Sequence, residues 1–113
     1  MEVLFYELPN GEKPVIDFLE SLDDKTRIKS IGVISLLKEK GCGLREPYSK
    51  KVRNNIFELR IKKGSNNIRI LYFYAKGNKA YLTNGFIKKT RKTPEEELIM
   101  AEKYYSEYVA GKE

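Results

Sequence analysis

The sequence predicts an α+β domain in the order β-α-α-β-β-β-α, an antiparallel sheet with a helical hairpin on one face and a C-terminal helix. Three observations predict it. First, residues 56–74, IFELRIKKGSNNIRILYFY, hold two apolar runs around Lys62-Lys63-Gly64-Ser65-Asn66-Asn67, a polar loop with Gly and Asn where a reversing chain needs them. Second, apolar residues recur at helical spacing between residues 14 and 40. Third, Thr93, Pro94 and Glu96 form an N-cap, an N1 proline and a capping box, opening one last helix.

In chain order, Val3-Leu4-Phe5-Tyr6 reads as a first strand and Pro9-Asn10-Gly11 as a turn. Pro14 starts a helix that carries Val15, Phe18, Leu19 and Leu22. Asp23 or Asp24 caps a second helix that runs to about Lys40 and ends at Gly41 and Gly43. Its Ile28, Ile31, Val33, Ile34, Leu36 and Leu37 are expected to form one wide apolar face. Residues 44–55 read as a basic, irregular connection. Phe57, Leu59 and Ile61 then alternate with Glu58, Arg60 and Lys62, as in a half-buried strand with one wet face. Residues 68–74 are almost continuously apolar, as in a central strand covered on both sides. Arg69 interrupts it, and its position near the strand's start should let its head reach a groove without being buried. Alternation puts Arg69 with Leu71 and Phe73, and Ile68, Ile70, Tyr72 and Tyr74 opposite. After a turn at Ala75-Lys76-Gly77-Asn78, residues 79–87 read as a further strand. The last helix should pack through Leu98, Ala101, Tyr105, Tyr108 and Val109.

The length of 113 residues suits one domain spanning 1–113, able to bury a core without disulfide or metal. One cysteine, Cys42, points to a reducing, cytoplasmic compartment; between two glycines it reads as a helix-end residue. The absence of histidine removes histidine acid–base chemistry and the commonest zinc ligand, and no metal or cofactor is expected. No apolar run approaches a membrane span. The net charge of +6 conceals an uneven distribution. Residues 50–92 carry thirteen Lys and Arg against one acid, Glu58, whereas both flanking segments are net negative. That imbalance exceeds what a solvated face needs and indicates a polyanionic partner.

Three segments in this order, Ile56-Phe57-Glu58-Leu59-Arg60, Arg69-Ile70-Leu71-Tyr72, and Phe86-Ile87-Lys88-Lys89-Thr90 with Thr93-Pro94, resemble the RelE/ParE superfamily of type II toxins, and its phage-derived HigB-like branch in particular. The resemblance spans nearly the whole chain and implies a RelE-like fold. It implies the toxin of a toxin–antitoxin pair: a metal-independent mRNA endoribonuclease acting at the ribosome, or alternatively a ParE-like gyrase inhibitor without enzymatic activity. A non-toxic nucleic-acid-binding domain is a third reading. The implied partners are mRNA, the ribosome and a cognate antitoxin with an acidic segment or a helix-turn-helix. By resemblance, Arg60, Arg69, Lys88 and Lys89 take the basic functional positions, Glu58 the acidic one beside them, and Lys50 and Lys51 the basic loop before the sheet. Arg53, Arg91 and Lys92 extend the nucleic-acid-binding surface. The late tyrosine of some RelE-type members is absent, since Thr90 follows the lysines, and so are the histidines of others.

Metal-free RNA cleavage uses the RNA's own 2′-hydroxyl to attack the adjacent phosphate, so a protein must move protons and stabilise the phosphorane. Arg69 suits the second task and Arg60 can share it. Lys88 or Lys89 can serve as acid or base, or merely hold backbone phosphates. Glu58 is either a competing base or the partner that holds Arg60 or Arg69. Tyr48, Tyr72, Tyr74 and Tyr81 can stack on bases or fill the core.

Overall fold

The computed structural model describes residues 1–112. In chain order the elements are β1 (Glu2–Phe5), α1 (Pro14–Glu20), α2 (Asp24–Lys40), a short 3-10 turn (Gly41–Gly43), β2 (Ser49–Arg53), β3 (Ile56–Lys63), β4 (Asn66–Ala75), β5 (Lys79–Ile87) and α3 (Glu95–Lys112). They build an α+β architecture around one five-stranded mixed sheet, in the order β1-β5-β4-β3-β2.

Two features correct the expected strand set. The basic connection contains an edge strand, β2, whose Lys50 and Lys51 pair with Glu58 and Phe57. A Ser-Lys-Lys-Val-Arg segment has almost no apolar alternation, and its extended form comes from the ladder it makes with β3; lysines on an edge also deter further pairing. In addition, β1 runs parallel to β5, while the other three pairings are antiparallel. The α1–α2 hairpin carries the chain across the sheet from one edge to the other.

Local signals account for most element ends. Pro14 occupies the first turn of α1. The Asp23 side chain caps α2 by accepting from the Thr26 backbone N–H at 3.1 Å, and Gly41 ends it with φ 56°. The β3–β4 ladder reaches Lys63 and Asn66, leaving only Gly64 and Ser65 as the turn.

The central strand β4 is covered on both faces. Ile68, Ile70 and Tyr72 join Val15, Leu19, Val33, Leu37 and Leu59 beneath α1 and α2. Leu71 and Phe73 join Ile56, Phe86, Leu98 and Ala101 beneath α3. A bulge at Thr83 shifts the register of β5, since Tyr72 pairs with Leu82 but Leu71 with Asn84. The shift turns Phe86 toward α3 and Gly85 toward α1, where a Cβ would lie 2.4 Å from the Phe18 ring.

The buried stripe of α2 is narrower than expected: Val33, Ile34 and Leu37 are covered, but Ile28 and Ile31 are exposed. Thr26 and Ser30 occupy the other buried positions, and the Ser30 hydroxyl is satisfied by the Thr26 carbonyl at 2.8 Å. At roughly 100° per residue, Ile28 then stands nearly opposite the buried row. On α3, Tyr104 is buried and stacks on Tyr6, whereas Val109 is exposed. Tyr72 is a core residue and Tyr48 is exposed.

Candidate functional site

The parity that sends Ile56, Leu71 and Phe86 beneath α3 sends Glu58, Arg60, Arg69 and Lys88 to the same side of the sheet. There the helix has not yet begun, so its apolar cover gives way to a charged groove. Arg60 and Arg69 are direct cross-strand partners. Like charges in that arrangement repel and require a counterion.

Glu58 supplies it. The side chain is 1% exposed, and its Oε2 accepts from Arg60 Nε at 3.0 Å. Arg69 Nε lies 3.7 Å from the same oxygen, an ion-pair distance beyond a hydrogen bond. The Thr93 hydroxyl donates to Oε1 at 3.0 Å. Both carboxylate oxygens are therefore engaged, which favours Glu58 as the group that holds the arginines over Glu58 as a free base.

Arg69 is more enclosed than its place in the strand suggested. Its side chain is 12% exposed, its Nη1 donates to the Ile68 carbonyl at 3.1 Å, and its Nε is buried without a hydrogen-bond partner. Burial lowers the pKa of the guanidinium, Glu58 opposes that and Arg60 adds to it. Lys88 follows β5, its backbone N–H held by the Asn67 carbonyl at 2.7 Å. Burial also lowers the pKa of its ammonium; Glu58 pulls the other way, and Arg69, Arg60 and Lys50 push it further down.

The groove has two lobes. One is lined by Lys50, Lys51, Glu58, Arg60, Lys88, Arg91, Lys92 and Thr93, together with Arg53 at its rim. The other is lined by Asn67, Arg69, Lys88, Lys89, Thr90 and Arg91. The candidate residues thus converge, although the segment before α3 is distant in sequence from the β3–β4 hairpin. Arg53 is committed to α3: its Nη1 and Nη2 bind Glu95 at 2.7 and 2.8 Å, and its Nη1 also binds Glu102 at 3.1 Å. Thr93, read from the sequence as a helix cap, touches Glu58 across 35 positions, a relation with no local signal. Asn67 and Thr90 also line the site without having been singled out. Among the described residues, no three Cys, Asp or Glu side chains converge as a possible metal-ligand set. No helix among them is long and apolar enough to cross a membrane.

The profile of the phage-derived Gp49-like protein family (DUF891) matches residues 17–106, from α1 into α3 and across the whole charged groove. The chain belongs to the Gp49-like family. This is a RelE toxin-like family, and the mixed sheet with its three helices is consistent with a RelE-like α+β fold. A search of curated proteins returns no match. In this Gp49-like chain the matched span holds every candidate residue from Lys50 to Lys92.

Proposed function

We propose that this Gp49-like protein is the toxin of a toxin–antitoxin pair, a HigB-like endoribonuclease that cuts mRNA at the ribosome without a metal ion, in the cytoplasm. The observation that carries the reading is the buried Glu58, which holds Arg60 and brings Arg69 to ion-pair distance on a rigid sheet, beside an ammonium of lowered pKa. Two guanidiniums fixed in a groove can hold a phosphate whose charge grows in the transition state.

In the reaction the 2′-hydroxyl oxygen attacks the adjacent phosphorus and its proton passes to solvent. The bond from phosphorus to the 5′-oxygen breaks, and Lys88 protonates that oxygen. A lowered pKa makes that ammonium a stronger acid than a free lysine's. The products are a 2′,3′-cyclic phosphate and a 5′-hydroxyl. Arg60 and Arg69 stabilise the phosphorane, Glu58 positions them, and Lys50, Lys51, Lys89, Arg91 and Lys92 hold the flanking backbone. The cationic surface that binds RNA would also attract an acidic segment of the antitoxin, and their association should slow as salt rises.

The test is cleavage of ribosome-bound mRNA by purified protein, with the fragment ends identified. Cyclic phosphate ends are expected, and a 2′-O-methyl group at the cut site should abolish them. Arg69→Ala should lower the rate about a hundredfold or more, the scale of losing a charged transition-state donor. Ends bearing 3′-hydroxyl and 5′-phosphate would overturn the mechanism. Intact mRNA accompanied by DNA breaks would replace it with gyrase inhibition.

A further inference from the structure

The two lobes differ in chemistry as well as position. The first contains Glu58 and is of mixed charge. The second contains Asn67, Arg69, Lys88, Lys89, Thr90 and Arg91, with four cations and no carboxylate. Lys88 and Arg91 line both and so mark the junction. Arg60 faces only the first lobe and Arg69 only the second, yet the two are cross-strand partners. A phosphate over Lys88 can therefore be reached from both lobes.

The second lobe extends beyond that point. The Lys88 N–H to Asn67 carbonyl bond fixes the end of β5 against the start of β4. The Thr90 hydroxyl donates to the Lys92 carbonyl at 2.9 Å, which fixes the turn between Thr90 in the second lobe and Lys92 in the first. Going from Lys50 on β2 through Arg60 and Arg69 to Lys88, the groove crosses three strand spacings, roughly 14 Å. That is longer than one phosphate requires.

We propose that the part of the second lobe beyond Arg69 and Lys88, formed by Asn67, Lys89, Thr90 and Arg91, is a separate anion subsite for the phosphate next to the scissile one, so that the protein recognises at least two consecutive phosphates of a single strand. The proposal rests on the nucleic-acid reading of the groove and adds to it a minimum substrate of three nucleotides. Lys89 and Arg91, with no carboxylate beside them in that lobe, suit a phosphate that is bound without reacting. The junction, where Arg60 and Arg69 meet across the strands beside the shared Lys88, suits the one that reacts.

The experiment measures binding of uncleavable 2′-deoxy oligonucleotides without terminal phosphates, a dinucleotide with one phosphate and a trinucleotide with two, over a range of salt. Each single-strand phosphate contact contributes about 0.7 to the slope of log K against log salt. Wild type should bind the trinucleotide more tightly, with a slope steeper by about that amount. Asn67→Asp, which places a carboxylate in the second lobe, should remove the difference by weakening the trinucleotide more than the dinucleotide. Thr90→Asp, on the loop, should do the same and guards against a folding defect at the strand start. Equal weakening of both ligands, or of neither, would overturn the subsite. Failure of wild type to bind either ligand would overturn the nucleic-acid reading itself.

Discussion

Replacing Glu58 by alanine tests the centre of the site, because it leaves Arg60 and Arg69 facing one another with their shared anion gone. The carboxylate is 1% exposed and accepts two hydrogen bonds of 3.0 Å, from Arg60 and Thr93, with Arg69 3.7 Å away. Breaking a buried ion pair from one side costs about 3–5 kcal/mol. Arg60 is 28% exposed and can turn toward water, which places the expected loss near the lower end. At about 4–8 °C per kcal/mol for a domain slightly smaller than this one, melting should fall by roughly 10–20 °C. Thermal unfolding followed by circular dichroism reads this directly. The double variant with Arg60→Ala as well should recover part of the loss, since one of the two opposed cations is then absent; coupling of about 0.5–3 kcal/mol is usual for residues in contact. If Glu58→Ala melted with wild type, or the two losses simply added, the carboxylate would not be holding the arginines and the account of the site would fail.

Four other outcomes follow from particular contacts. Arg53→Ala should lower stability only slightly and in a salt-dependent way, as its bonds to Glu95 and Glu102 are largely solvent-facing; melts at low and high salt compare the two. Gly85→Ala should cost about 1–3 kcal/mol in denaturant unfolding, because the new methyl meets the Phe18 ring and α1 must shift. For Lys88, the lowered pKa means that the acid is lost as pH rises toward the ordinary lysine value of 10.5, so the cleavage rate should fall on the alkaline side. Lys88→Arg should lower kcat and remove that descending limb while oligonucleotide affinity is kept. Tyr6, pushed up to about 12 first by burial and then by its hydrogen bond to Glu107, holds its proton more tightly folded than unfolded. Its contribution to stability is complete below pH 10 and declines as pH approaches 12, a slope that should weaken in Tyr6→Phe.

Much of this protein is legible in its sequence because the signals are local. The alternation of residues 56–62, the apolar run of β4, the Asp23 cap, Pro14 and Gly41 each act through neighbours a few positions away, and each appears where the pattern puts it. Strand parity also places Glu58 and Arg60 on one side of β3 from sequence alone, and the register of the β3–β4 ladder adds Arg69 to that side. The tertiary structure decides the rest. Strand β2 exists because β3 offers it a ladder, which no periodicity of its own announces. The exposure of Ile28 depends on which face of α2 meets the sheet, and the bulge at Thr83 determines which of Gly85 and Phe86 faces which helix. Above all, the burial of Glu58 is decided by chain that returns 35 residues later to set Thr93 against it. Sequence spacing shows that Glu58 and Arg60 share a strand face; only the tertiary structure brings Arg69 beside them and removes that acid from water, and desolvation turns a surface charge into the anchor of the site.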